Sequence, residues 1–216
     1  MTIVDNPGRE RILERIRAGL CAKLPDSPAA TAGKAFFEPV TNALERFQAE
    51  AKTNLMECFL TADNQESAAR LGQTLETLPA GEIFVQDHPS LRWLLEACGR
   101  DRAVRWSSMG VPSESSQATL TLAERLIAQT GSIFVTAGCG GRGASVVAPC
   151  HIVMANVSQL VPDLETALRE ASSEAFLEKN SFACVISGSS RTADIEKILV
   201  QGAHGPRRLV VILQKG

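Results

Sequence analysis

Three uninterrupted apolar runs constrain this chain most: Ile133-Phe134-Val135, Ile152-Val153-Met154 and Leu209-Val210-Val211-Ile212-Leu213. A run that long without polar alternation suits a strand buried on both faces, which is the condition of a parallel sheet between covering layers. Segments with helical spacing lie between the runs. Leu44–Leu55 reads as an amphipathic helix and Met56–Leu60 as a strand. Asp63 caps a helix to about Leu78, with Ala68, Leu71, Leu75 and Leu78 on one face. Gly81 precedes a strand over Glu82–Gln86, Pro89 opens a helix to Cys98, and Ala103–Ser107 is a strand. Ala118–Leu122 reads as a strand, Ala123–Gln129 as a short helix, and Ser132–Ala137 and His151–Val157 as strands. Pro162–Leu177 is a helix, Phe182–Ser187 a strand, Thr192–Val200 a helix and Leu209–Leu213 the last strand. The alternation predicts an α/β, mostly parallel sheet covered on both faces by helices.

The N-terminus stands apart. Over Pro7–Leu20, Ile12, Leu13, Ile16 and Leu20 form one apolar stripe among Arg and Glu. Cys21–Gly33 holds Pro25, Ser27 and Pro28 and reads as a linker. Residues 1–33 are therefore expected to be a helical arm and linker, and residues 34–216 the main domain. An arm of this kind packs on its own domain or joins copies of the chain into a homo-oligomer.

Composition narrows the classes. The 216 residues suffice to bury roughly 70% of the unfolded surface. A formal charge of −2 argues against a dedicated nucleic-acid binder. Tyr is absent, so no phenol acts as acid or base. No apolar run approaches the ~18 residues of a membrane span, and the first ten residues lack a signal peptide's apolar stretch. The six cysteines are scattered without C-x-x-C spacing. A reduced, cytoplasmic protein is expected, with most thiols acting as small buried hydrophobes.

Two places look chemically competent. In Ser187-Gly188-Ser189-Ser190-Arg191-Thr192-Ala193-Asp194-Ile195-Glu196 a strand would end in a tight turn. Ser189, Ser190 and Thr192 would cap the helix that follows. Free amides at a positive helix end, with the charge of Arg191, suit a phosphate or carboxylate. The alternative is a capped helix only, with Arg191 and Asp194 paired on its surface. In Gly202-Ala203-His204-Gly205-Pro206, His204 is placed to donate to a ligand or to bond local backbone. The second place joins Gln129-Thr130-Gly131-Ser132 to the cluster Gly138-Cys139-Gly140-Gly141-Arg142-Gly143. There Arg142 is either the natural anion contact or a solvated side chain on a flexible hairpin-like loop, and Cys139 is the one thiol placed for reactivity. His88 and His151 read as structural. No P-loop, dinucleotide fingerprint, G-x-S-x-G elbow or metal-ligand spacing is present.

The stretch Gly188–Glu196, Leu199-Val200 and Gly202–Pro206 resembles the C-terminal signature of the LUD-domain family, which includes the lactate utilisation protein C group. Ala128–Ser132, Arg142 and Pro149 resemble its middle motif. The likeness covers roughly residues 118 to 213. It implies a Rossmann-like fold of the kind found in the NagB, ribose-5-phosphate isomerase and CoA-transferase superfamily, and a role in bacterial oxidation of L-lactate to pyruvate beside iron–sulfur partner proteins. It further implies that this chain binds no cluster or other cofactor itself. Two departures stand out: Ser189 replaces a common Pro, and Gln129 replaces a common acid. An amide cannot act as a general base.

The expected function is thus an accessory or ligand-binding subunit holding a small anion. Arg191 would supply charge, Ser190 and Thr192 donors, and His204 a polarising contact. Arg142 would close from the glycine loop, while Asp194 and Glu196 orient Arg191 or meet ligand hydroxyls. Gly188, Thr130 and Gly131 would shape the site. One rival is a free-standing sugar-phosphate isomerase or acyl-CoA transferase using Glu196, Asp194 or His204. Another is a structural interaction module that binds through residues 7 to 20.

Overall fold

The computed structural model describes residues 7–21, 38–173, 179–193, 199–201 and 205–216. The chain divides into two compact units, residues 1–38 and 39–216. In the first, α1 spans Pro7–Cys21 and carries Ile12 and Ile16 exposed.

The second unit is built on a wholly parallel six-stranded sheet. Its strands are β1 (Glu57–Thr61), β2 (Ile83–Val85), β3 (Val104–Trp106), β4 (Ala118–Leu122), β7 (Cys150–Asn156) and β12 (Arg208–Gln214), in the order β1-β12-β7-β4-β2-β3. The long apolar runs of β7 and β12 lie at its centre. Along β12, Val210 and Ile212 face one core while Leu209, Val211 and Leu213 face the other. That two-residue alternation is why both sides of the run had to be apolar.

Helices α3 (Asn64–Glu76) and α4 (Pro89–Cys98) cover the first face, through Ala68, Leu71, Leu75, Leu91 and Leu94. Each fully buried leucine there contributes about 1.5–3 kcal/mol. The other face packs against α2 (Ala43–Thr53), through Phe47 and Ala51, and against a second sheet. This sheet contains β5 (Arg125–Ile127), β6 (Ser132–Thr136), β8 (Leu160–Val161) and β9 (Ala183–Ile186), in the order β8-β5-β6-β9. β6 runs antiparallel to both β5 and β9. Helix α5 (Leu164–Ser173) buries Ala167 and Ala171 beside Ile127, Phe134 and Val161.

Three expectations are corrected. The segment 123–129 is not a helix; it forms β5 and a 3₁₀ turn over Ala128–Thr130. The strands near 132–137 and 182–187 exist, but as β6 and β9 they belong to the mostly antiparallel second sheet. The ends of the expected helix Thr192–Val200 are strands instead, with residues 194–198 outside the described residues: β10 (Arg191–Ala193) and β11 (Leu199–Gln201) pair antiparallel, with Thr192 opposite Val200. Both of these are β-branched residues, which suit a pleated ladder better than a helix.

Candidate ligand-binding site

Parallel pairing brings the carboxyl ends of β4, β7 and β12 to one edge of the main sheet, at Leu122, Asn156 and Gln214. Helices α3 and α4 begin at the same edge because each follows a strand of that sheet. Asp63 caps α3 by accepting the Glu66 N–H at 2.9 Å, and the Glu66 carboxylate accepts the Ala62 N–H at 2.7 Å. His88 caps α4: its Nδ1 accepts the Ser90 N–H at 3.3 Å, and Pro89 starts the helix. Between these ends lies a cavity of about 370 Å³, within the range of small-molecule pockets. Its apolar wall is Leu91, Leu94, Leu122 and Met154, with Trp93 at the mouth. Its polar groups are Asn64, Ser90, Asn156, Gln159 and Gln214. Gln159 is fixed by two bonds, its Oε1 accepting the Asn156 N–H at 2.6 Å and its Nε2 donating to Ala123 O at 2.6 Å. Among the described residues no side chain in this lining is ionisable.

The glycine loop after β6 reaches this edge too. Gln86 bridges it to β4: Oε1 accepts the Leu122 N–H at 2.8 Å, and Nε2 donates to Gly138 O at 3.0 Å. Gly140, at φ +95°, sits against the Phe84 ring and Gln86. The Glu124 carboxylate accepts the Thr136 hydroxyl at 2.7 Å and lies 3.6 Å from the Cys139 sulfur. Cys139 is buried rather than partly exposed, and burial pushes its thiol up to about 12. It is therefore not the electropositive nucleophile its sequence neighbours suggested. Arg142 donates to Ser181 O at 2.9 Å, with its guanidinium 5.8 Å from the Phe182 ring centre.

The expected anion turn lies elsewhere. Ser190 N–H donates to Pro206 O at 2.8 Å, and Arg207 N–H donates to Pro149 O at 2.9 Å. Pro206 and Pro149 precede β12 and β7, so the turn sits at the amino edge of the parallel sheet. There Thr130, Gly131 and Gly188 do come together. Asn54, at the end of α2, donates from Nδ2 to Thr130 O at 2.8 Å. Ser132 Oγ lies 2.7 Å from both Thr130 Oγ1 and Ser187 Oγ. Gly188, at φ +97°, passes so close to Asn54 that a Cβ would stand 2.4 Å from its carbonyl oxygen.

Two supports for the anion reading are thereby removed. The Ser190 amide is already bonded, and the residues directly after it, Arg191–Ala193, are strand β10 rather than the first turn of a helix. Arg142 is held at the opposite end of the β6–β9 pair, so it does not close on this turn. Arg191 and Thr192 are placed as backbone in β10, and Asp194, Glu196 and His204 lie outside the described residues.

His151 is wholly buried in β7, 2.9 Å from Thr121 Oγ1. His88 serves as a helix cap, so both histidines outside the turn are structural as read. Among the described residues no three His, Cys, Asp or Glu side chains group as metal ligands, and no helix is long and apolar enough to cross a membrane.

The family model of the LUD domain matches residues 107–214, half of the chain. The chain belongs to the LUD-domain family. It is 34% identical over 104 residues to lactate utilization protein C of Halalkalibacterium halodurans, covering 47% of this chain and 45% of that one. It is also 34% identical over 102 residues to lactate utilization protein C of Deinococcus radiodurans, covering 46% and 47%. The chain thus spans a little under half the length of these curated relatives. A DUF162 family protein from Deinococcus radiodurans, solved by crystallography, superposes with a TM-score of 0.60 at 18% identity, over 80% of this chain and 96% of that one. That likeness concerns the fold alone.

Sequence reasoning missed the carboxyl-edge cavity. Its polar groups come from four separate segments and share no motif. The signal available was positional only: each follows an apolar strand or opens a helix.

Proposed function

We propose that this member of the LUD-domain family is an accessory, ligand-binding subunit of a system that oxidises L-lactate to pyruvate, working beside iron–sulfur partner proteins. The likeness to two lactate utilization proteins supports the metabolic setting. The observation that carries the ligand-binding role is the convergence of β4, β7 and β12 with the first turns of α3 and α4 around one cavity. In open α/β sheets that edge is where ligands bind. The proposed small-molecule site therefore moves from the Gly188–Arg191 turn to the carboxyl edge. The anion role of Arg191 remains a separate proposal, resting on its charge.

Co-purification from the native host tests the subunit role. Iron–sulfur proteins should co-elute with the tagged chain, and deleting its gene should abolish growth on L-lactate alone. A chain that elutes by itself from a host whose deletion strain grows normally on L-lactate would contradict it.

A second reading is favoured by one observation. The Glu124 carboxylate, held by the Thr136 hydroxyl beside the glycine loop, is an acid at the carboxyl edge, as an isomerase or transferase would need. Turnover of a sugar phosphate or acyl-CoA by the purified chain, lost in Glu124→Gln, would establish that reading instead.

A further inference from the structure

The chemistry of the cavity selects its occupant. We propose that the carboxyl-edge cavity binds a neutral, planar heteroaromatic ring with an amide-type donor–acceptor edge, and not the carboxylate of lactate. This rests on the reading of that cavity as the ligand site.

Charge is the first argument. Among the described residues no Lys, Arg or His lines the cavity, and burying an unpaired carboxylate is strongly unfavourable. The helix ends do not compensate. Two carboxylates, Asp63 and Glu66, already occupy the start of α3. In α4, Pro89 has no N–H, while the Ser90 and Leu91 amides donate to His88 Nδ1 and His88 O. Neither end offers the cluster of free amides that holds an anion.

The polar groups supply the second argument. Four side-chain amides, from Asn64, Asn156, Gln159 and Gln214, ring an apolar floor. Amides carry a donor and an acceptor together and so match a lactam or carboxamide edge. Asn156 uses its Oδ1 on the Ser158 N–H, and Gln159 uses its Oε1 on the Asn156 N–H. Among the described residues the amides of Asn64 and Gln214 and the Nδ2 of Asn156 have no protein partner. The floor of Leu91, Leu94, Leu122 and Met154 fits a flat ring, and Trp93 at the mouth gives it an aromatic neighbour.

The same edge chemistry occurs in a free carboxamide ring and in the base of a nucleoside, so nicotinamide and inosine are the two neutral probes. The chain has two Trp and no Tyr, so Trp106→Phe leaves Trp93 as the only strong fluorophore. Titrating this variant of the 216-residue chain should give saturable quenching by nicotinamide or inosine, and none by L-lactate, pyruvate or inorganic phosphate. Whichever neutral probe saturates identifies the source. Gln214→Leu and Asn64→Ala, each removing an amide without a protein partner, should weaken that binding about tenfold or more. Their circular dichroism should match the parent's. Quenching by the anions alone, by none of the compounds, or equally in parent and variants would overturn the proposal. The titration uses purified chain without partners, so its failure is distinguishable from failure of the lactate role, which is read in cells.

Discussion

His151 Nε2 lies 2.9 Å from Thr121 Oγ1 across β7 and β4, while its Nδ1 has no hydrogen-bond partner. Burial alone pushes this imidazole down to about 4. The folded state therefore resists a proton that the unfolded chain accepts below its ordinary value of 6.5. Between those values the unfolded state binds more protons, so stability rises with pH across the window and falls as the solution is acidified. The loss on going from about 6.5 to about 4 should be on the order of 3 kcal/mol. Urea midpoints measured across this range should fall for the parent and fall much less for His151→Leu. Parallel pH profiles would show that His151 is not the group responsible.

Gly188 and Gly131 are both fixed by close approach to the end of α2. Gly188 has φ +97° and meets Asn54 O, and Gly131 has φ +58° with its Cβ position 2.6 Å from Ala51 N. Either Gly→Ala change forces backbone strain plus displacement of α2, at a cost on the order of 2 kcal/mol or more. Thermal unfolding should show a clear drop in Tm for both variants. Unchanged midpoints would mean that the α2 contact is looser than described.

Much of the fold was legible, for a physical reason. Leu209–Leu213 had to be buried on both faces, and Asp63 and Pro89 marked two helix starts through caps that the structure contains. Sheet membership was not legible. Ala183-Cys184-Val185-Ile186 is as apolar as a central strand, yet Ala183 and Val185 are exposed at the edge of the second sheet. The segment Thr192–Val200 read as a helix, while its described ends, Arg191–Ala193 and Leu199–Gln201, pair as strands. The turn at Gly188 kept its glycine requirement but leads into strand β10, and the cavity left no signature because its neutral Asn and Gln residues share no motif.

Three thiols, the buried Cys139 and Cys150 and the half-buried Cys58, should be inert. Burial pushes Cys139 and Cys150 up to about 12 and Cys58 up to about 11. At mildly alkaline pH their native thiolate fraction is at least about a hundredfold below that of a free thiol. Mass-spectrometric mapping after a brief thiol-reagent pulse should find these three unlabelled in the native protein and labelled in urea. Rapid native labelling of Cys139 would restore it as a candidate reactive group.

The proposed role of α1 as a subunit contact rests on Ile12 and Ile16, 60% and 53% exposed on one stripe. Light scattering should show a multimer for the parent chain and a lower mass for Ile12→Glu/Ile16→Glu. Equal masses would remove α1 from the assembly.

Filling the cavity tests the central claim most directly. Gln214 is half-buried, lines the cavity and makes no side-chain hydrogen bond among the described residues, so Gln214→Trp should occupy that space without unfolding the chain. The measurement is growth of the native host on L-lactate with this variant in place of the parent, at matched protein abundance. Loss of growth is the predicted result; growth at the parental rate with the cavity filled would contradict a ligand-binding role for the carboxyl edge.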